Sequence, residues 1–175
     1  MRNSLVRGIF LLACSMVPVS LLAADATIYT GIQNPGKLTI DNVLMDTKLG
    51  AVVGARISGG KVIGFEQTFG YSPNFLESGH RGFNAQSNLL LGIPVGVITP
   101  YGTVGIGLIT TWGAPLLEFR DFGTKFTVNY GGGIKIHNLA GPIGLRFDVR
   151  GYSVPKVFNQ TLNFVEATVG IMLSW

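Results

Sequence analysis

Apolar and polar residues alternate with a period of two in seven separate segments of this sequence. Successive side chains of a β-strand point to opposite faces, so this alternation predicts strands with one apolar face. In the clearest segment, Ile143, Leu145 and Phe147 face away from Arg146 and Asp148. The seven segments are 47–57, 61–71, 83–92, 100–109, 126–136, 143–152 and 165–175.

The composition decides what these strands face. The chain of 175 residues is 47% hydrophobic and only 13% charged, whereas a soluble domain carries about 25% charged residues. Beyond the N-terminal segment, no stretch approaches the roughly 18 consecutive apolar residues of a membrane helix. Membrane strands reconcile the two observations, because they show only every second residue to lipid. A soluble lipocalin-like barrel is the alternative, but it needs a charged exterior that this sequence does not supply.

An eighth strand is expected because membrane barrels with both ends on one side have an even strand count. Short connections alternate with long ones along the chain, as in barrels with short periplasmic turns and longer outer loops. This order places the missing strand at Thr27–Gln33. The predicted fold is therefore all-β, an eight-stranded antiparallel transmembrane β-barrel with up-and-down meander topology. The predicted outer loops are 34–47, 72–82, 111–123 and 153–161.

The N-terminus has the pattern of a secretory signal peptide, predicted at residues 1–24, and residues 25–175 form the barrel domain. A basic start precedes an apolar run, which small residues follow. Cleavage after Ala24 or after Ala26 fits the pattern. Two alternatives are an uncleaved anchor and lipidation at Cys14, where the sequence resembles a lipobox. Cys14 is the single cysteine, so ordinary cleavage leaves a mature chain without disulfides.

The polar faces of eight strands must pack together, because such a barrel is just wide enough inside for side chains. Charged residues removed from bulk water need ionic and hydrogen-bonding partners. The interpretation is a structural network that plugs the lumen; a gate or a small polar binding site is the alternative. The predicted inward charges are Lys48, Arg56, Lys135, Arg146 and Arg150, with Glu66, Asp148 and Glu166.

Glycines are expected opposite the bulky polar residues, where they make room. The turn positions predict Gly54 opposite Gly64, Asn88 opposite Gly105, and Asn129 opposite Arg150. Aromatic residues at strand ends are typical of interface girdles. The predicted outer girdle is Phe69, Tyr71, Phe126 and Tyr152, and the inner one is Trp175 and Tyr101.

Several functional classes find no support in the sequence. No basic run or recognition motif indicates nucleic acid. The glycine-rich stretches at 102–107 and 131–133 lie inside strands, with no following helix to hold a phosphate, so no cofactor is expected. No residues have metal-ligand spacing. His80, in an outer loop, and His137, at a periplasmic turn, are expected to be solvated.

The sequence LLLGIPVGVITPYGTVGIGL and the terminal VGIMLSW resemble the small outer-membrane β-barrel family that includes OmpX-like, OmpW-like and OmpA transmembrane-domain proteins. The resemblance implies location in the cell outer membrane, among its lipid and lipopolysaccharide. In that family a terminal strand ending on Phe or Trp is the signal read by the barrel-assembly machinery during insertion. Here the matching residues are Val169, Ile171, Leu173 and Trp175.

The expected function is that of a structural or surface-interaction protein, not an enzyme, and no motif specifies a surface ligand. A narrow porin-like channel for small solutes is one alternative. A lipid A-modifying barrel enzyme is another, since some barrels of this size act on lipid A. Lipid A deacylase barrels carry a His-x-Ser-Asn signature, but here Ser87 and Asn88 follow Ala85 where that histidine belongs. This departure argues against the enzyme.

Overall fold

The computed structural model describes residues 24–35, 38–40, 43–45, 49–75, 79–113, 123–157 and 160–175. Within these ranges the chain forms ten β-strands. No helix in the described part of the chain is long and apolar enough to span a membrane. The strands are β1 (Ala24–Pro35), β2 (Leu38–Ile40), β3 (Val43–Met45), β4 (Gly50–Gly59), β5 (Ile63–Ser72), β6 (His80–Gly92), β7 (Ile98–Gly113), β8 (Thr124–Ala140), β9 (Ile143–Val157) and β10 (Gln160–Ser174).

Eight of these strands close into a barrel in the order β1-β10-β9-β8-β7-β6-β5-β4. All neighbours are antiparallel, and β1 completes the ring by pairing with both β10 and β4. Strand β1 includes the weakly patterned segment Thr27–Gln33, so the predicted eighth strand and the predicted fold class are confirmed. The remaining strands, β2 and β3, form a small hairpin between β1 and β4.

The two faces of the barrel wall have opposite chemistry. Ile28, Ile171 and Leu91 are among the large apolar residues exposed on the outside. Inward positions on the same strands are buried and mostly polar, as Arg146 and Asp148 are on β9. Because the exposed residues form continuous apolar rows, the exterior suits hydrocarbon, and the lumen holds the polar groups.

Of the three predicted strand registers, one is confirmed and two are wrong. Asn88 lies opposite Gly105, as predicted. Gly54 lies opposite Gly70 instead of Gly64, because the β4–β5 turn is longer than the predicted three residues. Asn129 lies opposite Tyr152 instead of Arg150, because the β8–β9 turn is tighter than the four residues predicted and Ala140 pairs with Ile143. An irregularity between Ile136 and Ala140 removes only part of the resulting shift. Asn138 in this irregularity has φ of 57°, the left-handed region that asparagine tolerates.

Strands β7 to β10 are longer than a membrane requires. They contain 15 to 17 residues each, whereas about 9–11 tilted residues cross a bilayer. The predicted outer loops 111–123 and 153–161 are therefore wrong in part, since both overlap these strands. The apolar pattern also reverses near their outer ends: outward Ser153 and Asn163 hydrogen-bond at 2.7 Å, while inward Val154 and Leu162 are buried.

The reversed part of the barrel forms a small apolar cluster inside the outer mouth. The Phe75 ring contacts Phe164 edge-on at 5.2 Å between centroids, and Phe164 stacks on Tyr152 at 4.6 Å. Gly82 leaves room for Phe75, because a Cβ there would lie 3.0 Å from its ring. The cluster consists of Phe75, Ile109, Tyr152, Val154, Val157, Leu162 and Phe164.

Candidate functional site

The centre of the lumen holds two arginines of β9 between two carboxylates. Arg146 Nη2 lies 2.6 Å from Glu66 Oε2, and its Nε lies 3.0 Å from Asp148 Oδ2. Arg150 Nη2 lies 2.8 Å from an oxygen of each carboxylate. Both arginines have 0% side-chain exposure. Each guanidinium therefore bridges β9 to β5 across the barrel, in the forked geometry that arginine provides.

Arg56 extends this network towards the outer mouth. Its Nη1 lies 2.8 Å from Asp148 Oδ2, and its Nη2 lies 3.3 Å from Glu166 Oε1. Gln33 donates to the other Glu166 oxygen at 2.8 Å and accepts from Ser72 at 2.6 Å. These contacts connect β4, β9, β10, β1 and β5 through side chains alone.

The periplasmic end of the network rests on Asp25, which is not among the predicted inward charges. Lys135 Nζ lies 2.6 Å from Asp25 Oδ2 and donates to Ser58 Oγ at 2.9 Å, while Ser58 donates to Asp25 at 2.7 Å. Asp25 shares the inward face with Thr27. The period-two rule could have found it if the first strand had been extended by two residues.

Three tyrosines lie inside the barrel, and for two of them the predicted position was wrong. Tyr101, expected at the inner girdle, donates a hydrogen bond to Asp148 and accepts one from Arg146 Nε at 2.9 Å. Tyr152, expected at the outer girdle, is buried in the mouth cluster. The guanidinium of Arg56 lies 3.9 Å from the Tyr29 ring centroid, a cation–π contact. Alternation already placed Tyr101 and Tyr152 on the inward rows of β7 and β9.

Seven of the eight predicted network residues lie in the lumen, and each has an ionic contact there; Lys48 lies outside the described residues. With Asp25 added, four cations face four anions. The described lumen charges thus balance, which lowers the cost of removing them from water. The balanced set is Arg56, Lys135, Arg146 and Arg150 with Asp25, Glu66, Asp148 and Glu166.

Uncharged amides occupy the lumen wall formed by β6 and β8. The Asn129 amide donates to Asn88 Oδ1 at 2.8 Å and to Gln86 Oε1 at 3.0 Å. Asn88 donates in turn to Glu66 at 3.2 Å, which joins the amides to the ionic network. Gly105 and Gly107 lie opposite Asn88 and Gln86 and give these side chains their space.

The residues considered for catalysis do not converge. Ser87 lies on the lipid-facing side, where its Oγ pairs with Gln67 at 2.9 Å. His80 lies on the opposite, inward face of β6; it is buried, so the expectation of a solvated loop histidine was wrong. Its carbonyl accepts a hydrogen bond from Phe75 N at 2.6 Å, which closes the β5–β6 loop. Among the described residues, no cluster of three or more histidine, cysteine or acidic side chains could hold a metal.

The terminal residues proposed as an insertion signal form one exposed row along the end of β10 and the following Trp175. Ile171 and Trp175 are exposed by 65% and 62%, and Val169 and Leu173 accompany them. This row faces away from the lumen network, so it is available to lipid or to a protein that binds the strand.

We expect the mature chain to begin at Asp25. Cleavage after Ala26 would remove Asp25 and leave Lys135 without the carboxylate 2.6 Å away, an unfavourable result for a buried cation. Intact mass measurement of the protein purified from outer membranes checks this prediction. A mass that begins at Thr27 would contradict it, and a lipid-modified Cys14 would show that the signal was misread.

Comparison with known proteins gives a fold. No protein-family profile and no curated protein matches the chain. Among solved structures, Neisserial surface protein A matches with a TM-score of 0.65 at 10% identity, over 86% of this chain and 96% of that one. The N-terminal β-barrel domain of Pseudomonas aeruginosa OprF matches with a TM-score of 0.58 at 10% identity, over 87% and 97%. The outer membrane enzyme PagL matches with a TM-score of 0.53 at 12% identity, over 85% and 98%.

The closed barrel, its apolar exterior and these matches define an eight-stranded β-barrel of the outer-membrane class. The resemblance drawn from the sequence is confirmed at the level of the fold, and the outer membrane is the location that it indicates. The matched structures include both surface proteins and an enzyme, so the fold alone does not decide the function.

Proposed function

We propose that the chain is a non-conducting outer-membrane barrel that presents a rigid surface to molecules outside the cell. The observation that carries the proposal is the filled lumen, in which a balanced ionic network and an apolar mouth cluster occupy the bore in series. A barrel filled in this way holds its outer surface in a fixed conformation. Within the part of the barrel that the structure describes, this filling would leave a solute no continuous polar path.

Conduction by a narrow channel would require both parts of the filling to move. Both central arginines contact Glu66 on β5, and Glu66 in turn accepts a hydrogen bond from the Asn88 amide. Above them, the Phe75, Tyr152 and Phe164 rings pack in van der Waals contact. An ion crossing this apolar layer would lose its hydration without new ligands, which is strongly unfavourable.

A lipid A-modifying activity is the weaker candidate, and the fold match to the enzyme PagL is the observation in its favour. Such chemistry needs a nucleophile and a base within hydrogen-bond reach. Ser87, the candidate nucleophile on the lipid-facing surface, pairs with Gln67, and an amide cannot act as a general base. The geometry therefore supports a barrel without this activity.

The outer wall is the proposed contact surface. Above the membrane, β7 continues paired with β8, and β9 continues paired with β10, with polar side chains outside and the apolar cluster behind them. The Thr110–Thr124 pair at 3.0 Å and the Ser153–Asn163 pair at 2.7 Å lie on the exposed face. Because the wall is held by backbone pairing and a packed core, a partner would bind it with little loss of conformational entropy.

The surrounding lipid and lipopolysaccharide are the proposed partners of the outer girdle. Tyr71 and Trp112 contact each other at 6.2 Å between centroids, and Arg81 lies opposite Trp112 in the sheet. Amphipathic aromatic rings suit the membrane interface, and a guanidinium there suits lipid phosphates.

Attachment assays with a deletion strain test the proposed function. We expect the deletion to reduce cell-to-surface or cell-to-cell attachment, and the wild-type chain to restore it. The double variant Ser153→Lys/Asn163→Lys, which alters the outer wall, should fold but fail to restore attachment. Ile171→Val, on the lipid-facing surface, is the matched control and should restore it fully.

Two results from the same strains would contradict the proposal. Normal attachment with impaired uptake of small solutes would support the channel. A lipid A mass spectrum that changes with expression of the wild-type chain, and not of Ser87→Ala, would support the enzyme.

The terminal row gives a prediction about assembly. Trp175→Ala should slow insertion in cells, because we propose that this row is read by the barrel-assembly machinery. It should leave the stability of the refolded barrel nearly unchanged, since Trp175 is exposed. Pulse-chase labelling checks the rate of assembly by following the folded form, which changes its mobility on an SDS gel when it is boiled. Phe65→Ala is the control at an outward-facing aromatic residue. Equal assembly rates for Trp175→Ala and wild type would contradict the proposed signal.

A further inference from the structure

The periplasmic end of the barrel carries an apolar patch where polar turns would be expected. Five aliphatic residues in or beside three neighbouring turns are exposed by 53–70%. Exposed apolar groups that lie side by side in this way indicate a binding surface more often than chance. We name this set the inner-turn patch: Val62, Ile93, Val95, Val97 and Leu139.

The patch is rigid because backbone hydrogen bonds join its turns. Val95 and Ile98 exchange two bonds, at 2.8 and 3.1 Å, around a tight turn in which Gly96 has φ of 61°. Gly92 N donates to Val62 O at 2.7 Å on one side. His137 N donates to Val97 O, also at 2.7 Å, on the other. The backbone of the turns is therefore fixed, and the apolar side chains on it remain exposed.

The patch continues the lipid-facing surface. Ile93 extends the outward row of β6 that includes Leu89 and Leu91, and Ile98 begins the outward row of β7. The sequence has no charged residue between Arg81 and Glu118, so the β6–β7 hairpin offers hydrocarbon no charge inward of Arg81, which lies near the outer girdle. This continuity selects lipid as the occupant, ahead of a second copy or a periplasmic protein.

The depth of the patch agrees with this choice. A strand that rises about 3.3 Å per residue and tilts by about 40° crosses an apolar band about 25 Å tall in about ten residues. Counted inward from Phe83 near the outer girdle, about ten residues along β6 reach Ile93. Val95 lies about 5 Å further, within the interfacial layer that flanks the hydrocarbon core.

We infer that the inner-turn patch is inserted into the inner leaflet, with the β6–β7 turn at the boundary between headgroups and acyl chains. The insertion anchors this side of the barrel more deeply than a polar turn would. The inference rests on the membrane location and is independent of the proposed closed lumen, so the two can fail separately.

Site-directed spin labelling tests the inference in the full chain reconstituted into phosphatidylethanolamine and phosphatidylglycerol vesicles. Cys14 is the sole cysteine and lies in the predicted signal peptide, so Val95→Cys introduces a single labelling site. Ile171→Cys is the lipid control, and Thr161→Cys, exposed near the outer end of β10, is the water control. Each variant must first migrate differently on an SDS gel with and without boiling, because a closed barrel resists SDS until it is heated. If Val95→Cys fails this folding check, Val97→Cys replaces it.

Accessibility to oxygen and to a water-soluble nickel complex is then measured. We expect the Val95 label to be accessible to oxygen and shielded from nickel, as at Ile171. Accessibility to nickel at the level of Thr161 would place the turn in water and overturn the inference. Shielding from both reagents with an immobilised spectrum would also overturn it, because a second copy would then cover the patch.

A second variant gives an independent readout. Val95→Asp should lower the urea midpoint of unfolding in vesicles, because it places a carboxylate in the interfacial layer. Thr161→Asp should leave the midpoint unchanged. Equal midpoints for Val95→Asp and wild type would count against insertion even if the label were shielded.

Discussion

Replacement of Arg146 by methionine is expected to destabilise the folded barrel by about 3–5 kcal/mol, the usual cost of removing one partner from a buried ionic group. The methionine fills similar space, but Glu66 and Asp148 lose the guanidinium that lies 2.6 and 3.0 Å away. Two carboxylates then remain in the lumen with less compensation. Urea unfolding in lipid vesicles, followed by tryptophan fluorescence, measures the change.

Two further variants separate lost charge from lost packing. Arg146→Met combined with Asp148→Asn should recover part of the loss, because it restores the charge balance. Thr161→Met, at an exposed position near the outer end of β10, should change stability by less than about 0.5 kcal/mol. A loss below about 1 kcal/mol for Arg146→Met would mean that bulk water solvates the network, and the lumen would then not be closed.

Gly105→Val is expected to prevent correct assembly or to cost about 3 kcal/mol, the upper range for overpacking a filled interior. A Cβ at this position would overlap the Asn88 amide oxygen and lie 2.6 Å from the Ser87 carbonyl oxygen. The amide would have to leave its 2.8 Å hydrogen bond with Asn129. The heat-modifiable fraction after refolding and the urea midpoint both report the effect.

Gly102→Val is the matched control on the same strand. Gly102 faces outward, and the nearest atom to its Cβ position is 3.9 Å away. Valine favours strands and suits lipid, so this variant should fold as well as wild type or better. Similar losses for both variants would show that glycine is needed for backbone reasons, and that the lumen is not tightly packed at Asn88.

The sequence determines which face a residue occupies more firmly than which residue it meets. The two wrong registers both shifted by an even number of residues, so Arg150 and Asn129 stayed in the lumen although their cross-strand partners changed. An odd shift would move a whole apolar row inward, which burial forbids. Turn geometry decides by how many pairs of residues the register shifts. The left-handed conformation of Asn138, which is part of that geometry, is not indicated by the sequence pattern.

Other parts of the site could not be predicted for different physical reasons. Contacts between non-adjacent strands, such as Arg146 with Glu66, depend on how long side chains cross a closed bore, which alternation does not encode. The positions of side chains at the outer mouth were predicted wrongly because the rule of apolar residues outside and polar residues inside was applied beyond the membrane. Tyr152 and Phe164 obey the rule for a soluble barrel instead, with apolar groups inside.

Single-channel recording of the wild-type barrel in planar bilayers tests the central claim most directly. The measurement uses protein whose mobility shift on boiling shows that it is folded, with a sixteen-stranded porin as the conducting control. The filled lumen predicts no conductance above the bare bilayer. Discrete, reproducible openings from the folded protein would contradict it and would assign the charged network to a pore.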